Sequence, residues 1–218
     1  MGLRDWLLDA WALLMPVDCA GCGAPDRSLC AECAAALVPQ VAIRSVGELP
    51  VVTALRYEGR VRRVILALKE QDRTDVASAL SAPLAAAVAR VLSTAQAELA
   101  IVPTSRRAYR RRGYDPVALL LRHAGLRPKR VLRPARSTAR QKTLSATQRA
   151  ANLRGAFVAA QPLTGRSFVL VDDVLTTGAT LGEAARAITV AGGEVLGAAT
   201  LAFTPRLFSF RDNAHGQD

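Results

Sequence analysis

Residues 168–181 read FVLVDDVLTTGATL. Four apolar residues lead into Asp172 and Asp173, and a loop of threonines with one glycine follows at once. A short apolar run bounded by such a loop is the pattern of a buried strand. In an open parallel sheet, ligands bind beyond the carboxyl ends of the strands. Paired carboxylates in that position accept hydrogen bonds from sugar hydroxyls, or face a metal ion through water. A helix is expected over 181–191, and its unpaired N–H groups suit a phosphate. Gly178 lets the backbone approach closely, and Thr176, Thr177 and Thr180 carry hydroxyl donors. A site for hydroxyls and a site for phosphate thus lie side by side, as in a ribose 5-phosphate. Neither a GxxxxGKS/T loop nor a GxGxxG turn is present. The acids are adjacent rather than Asp-x-Asp, and they fall late in the chain, unlike the acid pair of response regulators.

The four cysteines lie within CAGCGAPDRSLCAEC, as Cys19/Cys22 and Cys30/Cys33 with seven residues between the pairs. Two CxxC turns bring four thiolates together, and zinc is the default ion for an all-thiolate site. Such a site is closed and structural. It would hold a module too small for a hydrophobic core of its own.

The net charge is +11, and arginine supplies 26 of the 29 basic residues. Between Ile101 and Arg154 there are fifteen basic residues and a single acid, Asp115. So one-sided a segment repels itself unless an anion lies against it, which points to phosphate, pyrophosphate or nucleic acid. Arg110, Arg111 and Arg112 are the candidates for nucleic acid. Only Tyr109 and Tyr114 are at hand for stacking on bases. The two histidines, His123 and His215, stand in no motif.

These groups need elements to position them. Residues 1–40 read as an amphipathic helix (Trp6, Leu7, Ala10, Leu13, Leu14) followed by the cysteine module. Asp5 and Asp9 interrupt the N-terminal apolar run and argue against a signal peptide. No stretch reads as long enough to span a membrane, and the expectation is a cytoplasmic protein. A strand with a turn is expected over 51–59, then a helix ending near Lys69 and a long helix over 75–95 that Pro83 kinks or breaks. A strand at 99–103 leads into a basic loop to Asp115. A helix from Pro116 to Gly125 and a strand at 129–135 follow. The polar stretch 136–157 carries Ser145 and Gln148 in a capping-box pattern. Strand 168–172, helix 181–191 and strand 194–203 complete a domain at 50–204, and the tail 205–218 reads as flexible. Strands alternating with helices imply an α/β protein, a parallel sheet flanked by helices with a small N-terminal zinc-knuckle module.

VLVDDVLTTGAT resembles the phosphoribosyl-pyrophosphate (PRPP) motif of type I phosphoribosyltransferases. With IVPTSRRAYRRRGYD, RQKTLSATQRAANLRGAF and the four-cysteine knuckle, the chain resembles the ComF family of competence-associated proteins over about residues 15–203. The resemblance implies that Asp172 and Asp173 hold the ribose hydroxyls. It implies that Leu175, Thr176, Thr177, Gly178, Ala179 and Thr180 hold the 5-phosphate, with Mg2+ accompanying PRPP. Thr104, Ser105, Arg106, Arg107 and Lys69 would face pyrophosphate. Arg140, Gln141, Arg149 and Asn152 would lie on a mobile loop that closes the site. The chain has VPTS where the family has proline-valine-proline, and RGYDP where it has RGFNQ. The implied function is a PRPP-binding protein linked to DNA uptake or nucleotide salvage, with the acceptor open. The alternative is a non-catalytic single-stranded DNA binder that works with other competence proteins.

Overall fold

The computed structural model describes residues 17–93, 96–135 and 155–205. The expected N-terminal helix, the capping box at Ser145 and Gln148, loop residues Arg140, Gln141, Arg149 and Asn152, and the tail beyond Pro205 lie outside them.

The cysteine module ends in a short helix α1 (Ala31–Ala35). A hairpin follows, β1 (Ala42–Val46) and β2 (Leu49–Arg56). Then come α2 (Gly59–Glu70), a 3-10 turn (Thr74–Val76), α3 (Ala77–Leu92) and β3 (Glu98–Ile101). Helices α4 (Arg106–Arg112) and α5 (Pro116–His123) precede a ribbon of β4 (Leu132–Pro134) and β5 (Phe157–Ala159). Strand β6 (Ser167–Leu175), α6 (Ala179–Val190) and β7 (Glu194–Phe203) close the order. The main sheet has five strands in the order β1-β2-β7-β6-β3, all parallel neighbours except the antiparallel β1–β2 hairpin.

Side chains of a strand alternate between faces, and the core follows that rule. Leu99, Ile101, Val169, Val171 and Leu201 pack on the layer of α2, α3 and α5. Ala100, Val102, Phe168, Leu170 and Ala198 pack on α6 and the β4–β5 ribbon. The result is helix, sheet, helix, with both sheet faces covered.

Three elements differ from the sequence reading. The basic stretch after β3 is a helix rather than a loop. Ser105 caps it by accepting from the Ala108 N–H at 3.2 Å, and Gly113 ends it at φ 75°. Pro83 does not break α3, which runs continuously from Ala77 to Leu92. Thr74–Leu92 is apolar and long enough to cross a membrane by composition. Its Leu80, Leu84, Ala87 and Val88 are instead buried in the core, so the run reflects burial within the sheet layers. Strand β1, absent from the sequence reading, extends the main sheet before residue 50.

The β1–β2 hairpin reaches the threonine loop. Gly178 sits at φ 78°, and a Cβ there would lie no more than 3.0 Å from three carbons of Val46. Backbone handedness and packing therefore both demand glycine. Gly178→Ala should lower unfolding free energy by about 1–2 kcal/mol or more. Urea denaturation should show Val46→Ala recovering part of that loss in the double variant. An unchanged midpoint for Gly178→Ala would rule out this contact.

Candidate functional site

Strand β3 ends at Ile101, opposite Val171, while β6 continues to Leu175 with only β7 beside it. Asp172 and Asp173 occupy the first positions past that departure. They lie inside the last turns of the β6 ladder rather than after it, because Asp172, Val174 and Leu175 still register with Thr200, Ala202 and Phe203. Val171 and Val174 both pack toward the α2 layer, so the alternation of faces breaks across the two acids. Both acids are half-buried.

Two carboxylates this close repel one another. The Asp173 N–H donates to Asp172 Oδ1 at 2.8 Å. Lys69 Nζ, at the last turn of α2, lies 2.8 Å from Asp173 Oδ2. Lys69, expected beside pyrophosphate, is thus placed on the acid pair. Burial would lower its pKa, but the charge of Asp173 and, more weakly, of Asp172 holds it above the usual lysine value. Asp172 has no ion-pair partner among the described residues, and Lys69 acts on it only weakly, through its charge. Burial first, and the charge of Asp173 second, push its carboxyl up to about 7.

Past the acids, Leu175 is buried, Thr176 and Thr177 are exposed, and α6 opens at Ala179. Thr177 Oγ1 accepts from the Ala179 N–H at a long 3.4 Å. The first turn of a helix has N–H groups without intrahelical partners and a positive dipole end. The loop therefore presents donors to an anion a few residues from the carboxylates.

The expected pyrophosphate residues divide. Ser105 spends its hydroxyl on the α4 cap, while Thr104 is half-buried on the loop after β3. Arg106, Arg107 and Arg110 are exposed. Arg111 turns to Glu70 at 2.5 Å, and the Tyr114 hydroxyl donates to the Leu68 carbonyl, so α4 and its end are tied to the end of α2. Arg112 is half-buried, and its Nε has no hydrogen-bond partner among the described residues. Asp115, where the ComF pattern has an amide, is buried and caps α5 by accepting from the Ala118 N–H at 3.1 Å. An Asp followed by Pro at the first helical position is a legible cap, and it was the available signal for this role.

The four cysteine Sγ atoms lie within 4.8 Å of one another, and Cys22 and Cys30 are 3.6 Å apart. Tetrahedral thiolates at ordinary zinc–sulfur length stand about 3.8 Å apart. None is in a disulfide. Burial raises the Cys19 thiol, yet backbone N–H groups, that of Cys30 foremost, bring it down to about 6. Burial and the neighbouring sulfurs push Cys33 up, so four bare thiolates are disfavoured and a divalent cation relieves the conflict. The donor set fits zinc. Arg60 pairs with Glu32 at 2.6 Å, and Arg63 donates to the Gly21 carbonyl. These contacts fasten the module to α2. Arg73 adds a 2.9 Å bond to the Asp18 carbonyl from just beyond that helix.

Residues 78–214 match the family model described as the phosphoribosyl transferase domain. The chain is similar to the DNA utilization protein YhgH of Escherichia coli, 37% identical over 145 residues, covering 62% of this chain and 63% of that protein. Its counterpart in Salmonella typhimurium is 30% identical over 180 residues, covering 77% of this chain and 76% of that protein.

Two outcomes are expected. Protein purified without chelator should carry about one zinc per chain, and Cys19→Ser or Cys30→Ser should lose it and open residues 17–40 to protease. Metal analysis finding none would remove the zinc assignment. Asp172 holds its proton more tightly folded than unfolded, so stability should fall as pH rises from 3.8 to about 7. Asp172→Asn should flatten that fall and melt above the parent at neutral pH. A variant melting lower there would refute the raised carboxyl.

Proposed function

Because the chain belongs to the phosphoribosyl transferase domain family, in its ComF branch, we propose that it binds PRPP with Mg2+ and serves the handling of DNA taken up by the cell. The observation that carries the ligand is the acid pair held by Lys69 beside a helix-opening threonine loop. In this reading Asp172 and Asp173 accept from the ribose hydroxyls. The backbone of 175–180 and the hydroxyls of Thr176, Thr177 and Thr180 donate to the 5-phosphate. Thr104, Arg106 and Arg107 serve the pyrophosphate.

Transfer would break the bond from ribose C1 to pyrophosphate through a state with positive charge on the sugar. Such chemistry needs no protein nucleophile. It needs orientation of the ribose and neutralisation of the departing pyrophosphate. A magnesium ion, when bound, offsets charge on the phosphate oxygens. The carboxylates orient the sugar and favour its developing charge. Lys69 holds the Asp173 carboxylate in place for that task. The acceptor, if the protein transfers at all, would enter opposite the leaving group.

The DNA link rests on relatives that carry the name DNA utilization protein, and the E. coli one is matched over 63% of its length. A second reading, a non-catalytic single-strand binder, is favoured by the exposed arginines of α4.

Isothermal titration of PRPP with Mg2+ tests the ligand. Asp173→Asn should weaken binding about tenfold to a hundredfold, since a hydrogen bond to a charged group contributes roughly 1.5–3 kcal/mol. Thr177→Val should weaken PRPP more than free pyrophosphate. Variants that bind PRPP as tightly as the parent would show the motif to be only a helix opening.

A further inference from the structure

A cavity of about 310 Å³ lies against α4; Thr104 and Arg106, assigned above to pyrophosphate, line one side of it, and neither Asp172 nor Asp173 does. Small-ligand pockets run roughly 300–1,000 Å³, so it suits one nucleotide-sized group. Ile101, Pro103, Leu132 and Pro134 give it apolar walls. Arg106, Tyr109 and Arg110 enter from α4 at helical spacing, on one face. Arg130 enters from the approach to β4 and Arg133 from β4 itself.

Two features bear on what it holds. Tyr109 is 47% exposed, an aromatic ring set between arginines and left uncovered among the described residues. Asp115, the one acid of the lining, has a side chain only 2% exposed. A buried carboxylate is costly unless partnered. Besides capping α5, it meets Arg130 Nη1 at 3.4 Å, and the Arg130 side chain remains 60% exposed. Asp115 therefore anchors one side of a guanidinium whose other donors stay available. Apolar walls, one bare ring and four surrounding arginines match a flat aromatic group flanked by anions.

We propose that this cavity takes one base of a single-stranded nucleic acid, stacked on Tyr109, with the flanking phosphates on Arg110 and Arg133. The inference deepens the DNA-handling reading and rests on it. A base inside a duplex stack cannot enter such a cavity, so the strand must be single. A free phosphate or pyrophosphate would leave the apolar walls and Tyr109 without a role. Stacking tolerates any base, so the site would be indifferent to sequence.

The test uses the full chain, with a fluorescein-labelled single strand of mixed sequence, by anisotropy across a salt series. Tyr109→Ala should bind about tenfold more weakly at every salt concentration, and Tyr109→Phe should retain affinity. Arg110→Ala should reduce the slope against log salt by about 0.7, one phosphate contact on a single strand. Arg62→Ala, an exposed arginine of α2 away from the cavity, should change neither. A strand carrying 5-iododeoxyuridine should photocrosslink to Tyr109 by mass spectrometry. Strand binding unchanged in Tyr109→Ala, with crosslinks elsewhere, overturns the base pocket and leaves the DNA reading intact. A parent protein that binds no single strand overturns both. In either case PRPP titration of Tyr109→Ala reports separately on the acid-pair site.

Discussion

Two carboxylates side by side, half withdrawn from water, are the constraint on which the architecture turns. At an effective dielectric near 20, unit charges 4 Å apart interact by about 4 kcal/mol. That is a large share of the 5–15 kcal/mol by which a typical domain is stable. Lys69 meets the problem on one side, and Asp172 meets it on the other by retaining its proton toward neutral pH. A bound ligand that donates hydroxyls, or a cation, would relieve the same strain. The site is thus built at a cost that binding can offset, which is how a preorganised site differs from an accidental cluster of acids.

Placing Lys69 fixes much else. It stands in the last turn of α2, and that turn is held from outside by Tyr114 on the Leu68 carbonyl and Arg111 on Glu70. The other end of α2 carries the cysteine module through Arg60 and Arg63. Gly21 is needed there because a Cβ would meet Cys33 Sγ at 2.5 Å and Val64 Cγ2 at 3.3 Å. One helix therefore links the four-cysteine module to the acid pair. The module's position far from the motif in sequence hides how close it lies to that linkage.

The parts legible in sequence were those whose chemistry is local. The β6 run, the acid pair, the threonine loop and the CxxC pairs each announce themselves within a dozen residues. Strand β7 matched its expected span because most of its apolar run, from Gly197 to Phe203, is buried between parallel neighbours. What escaped was decided by partners distant in the chain. The basic stretch 106–112 has a serine cap and a closing glycine, but its charge density reads as a loop until Glu70 takes up Arg111. Strand β1 is short and weakly patterned, and its place comes from pairing with β2 and from Val46 under Gly178. Pro83 sits where a helix should fail, and burial of Leu80, Leu84 and Ala87 around it outweighs the lost bond. Lys69 could be placed near a site from sequence, though which group it would meet depended on how α2 crosses β6.

The uneven charge of the chain finds its physical sense in α4. A seven-residue helix with five arginines would be self-repelling in isolation. The fold sorts them by face. Arg111 pairs with Glu70 at the surface, while Arg106 and Arg110 flank Tyr109 on another side of the helix. Asp115 follows directly and holds Arg130 across from them. The positive field is thereby concentrated over one apolar cavity rather than spread over the surface, and the loop that begins at Val102 leads from the sheet core to that cavity. Among the described residues, Arg106 and Arg110 have no acid partner and stand exposed on either side of the Tyr109 ring. An anionic ligand with a flat apolar part would find both a charge and a stacking partner there.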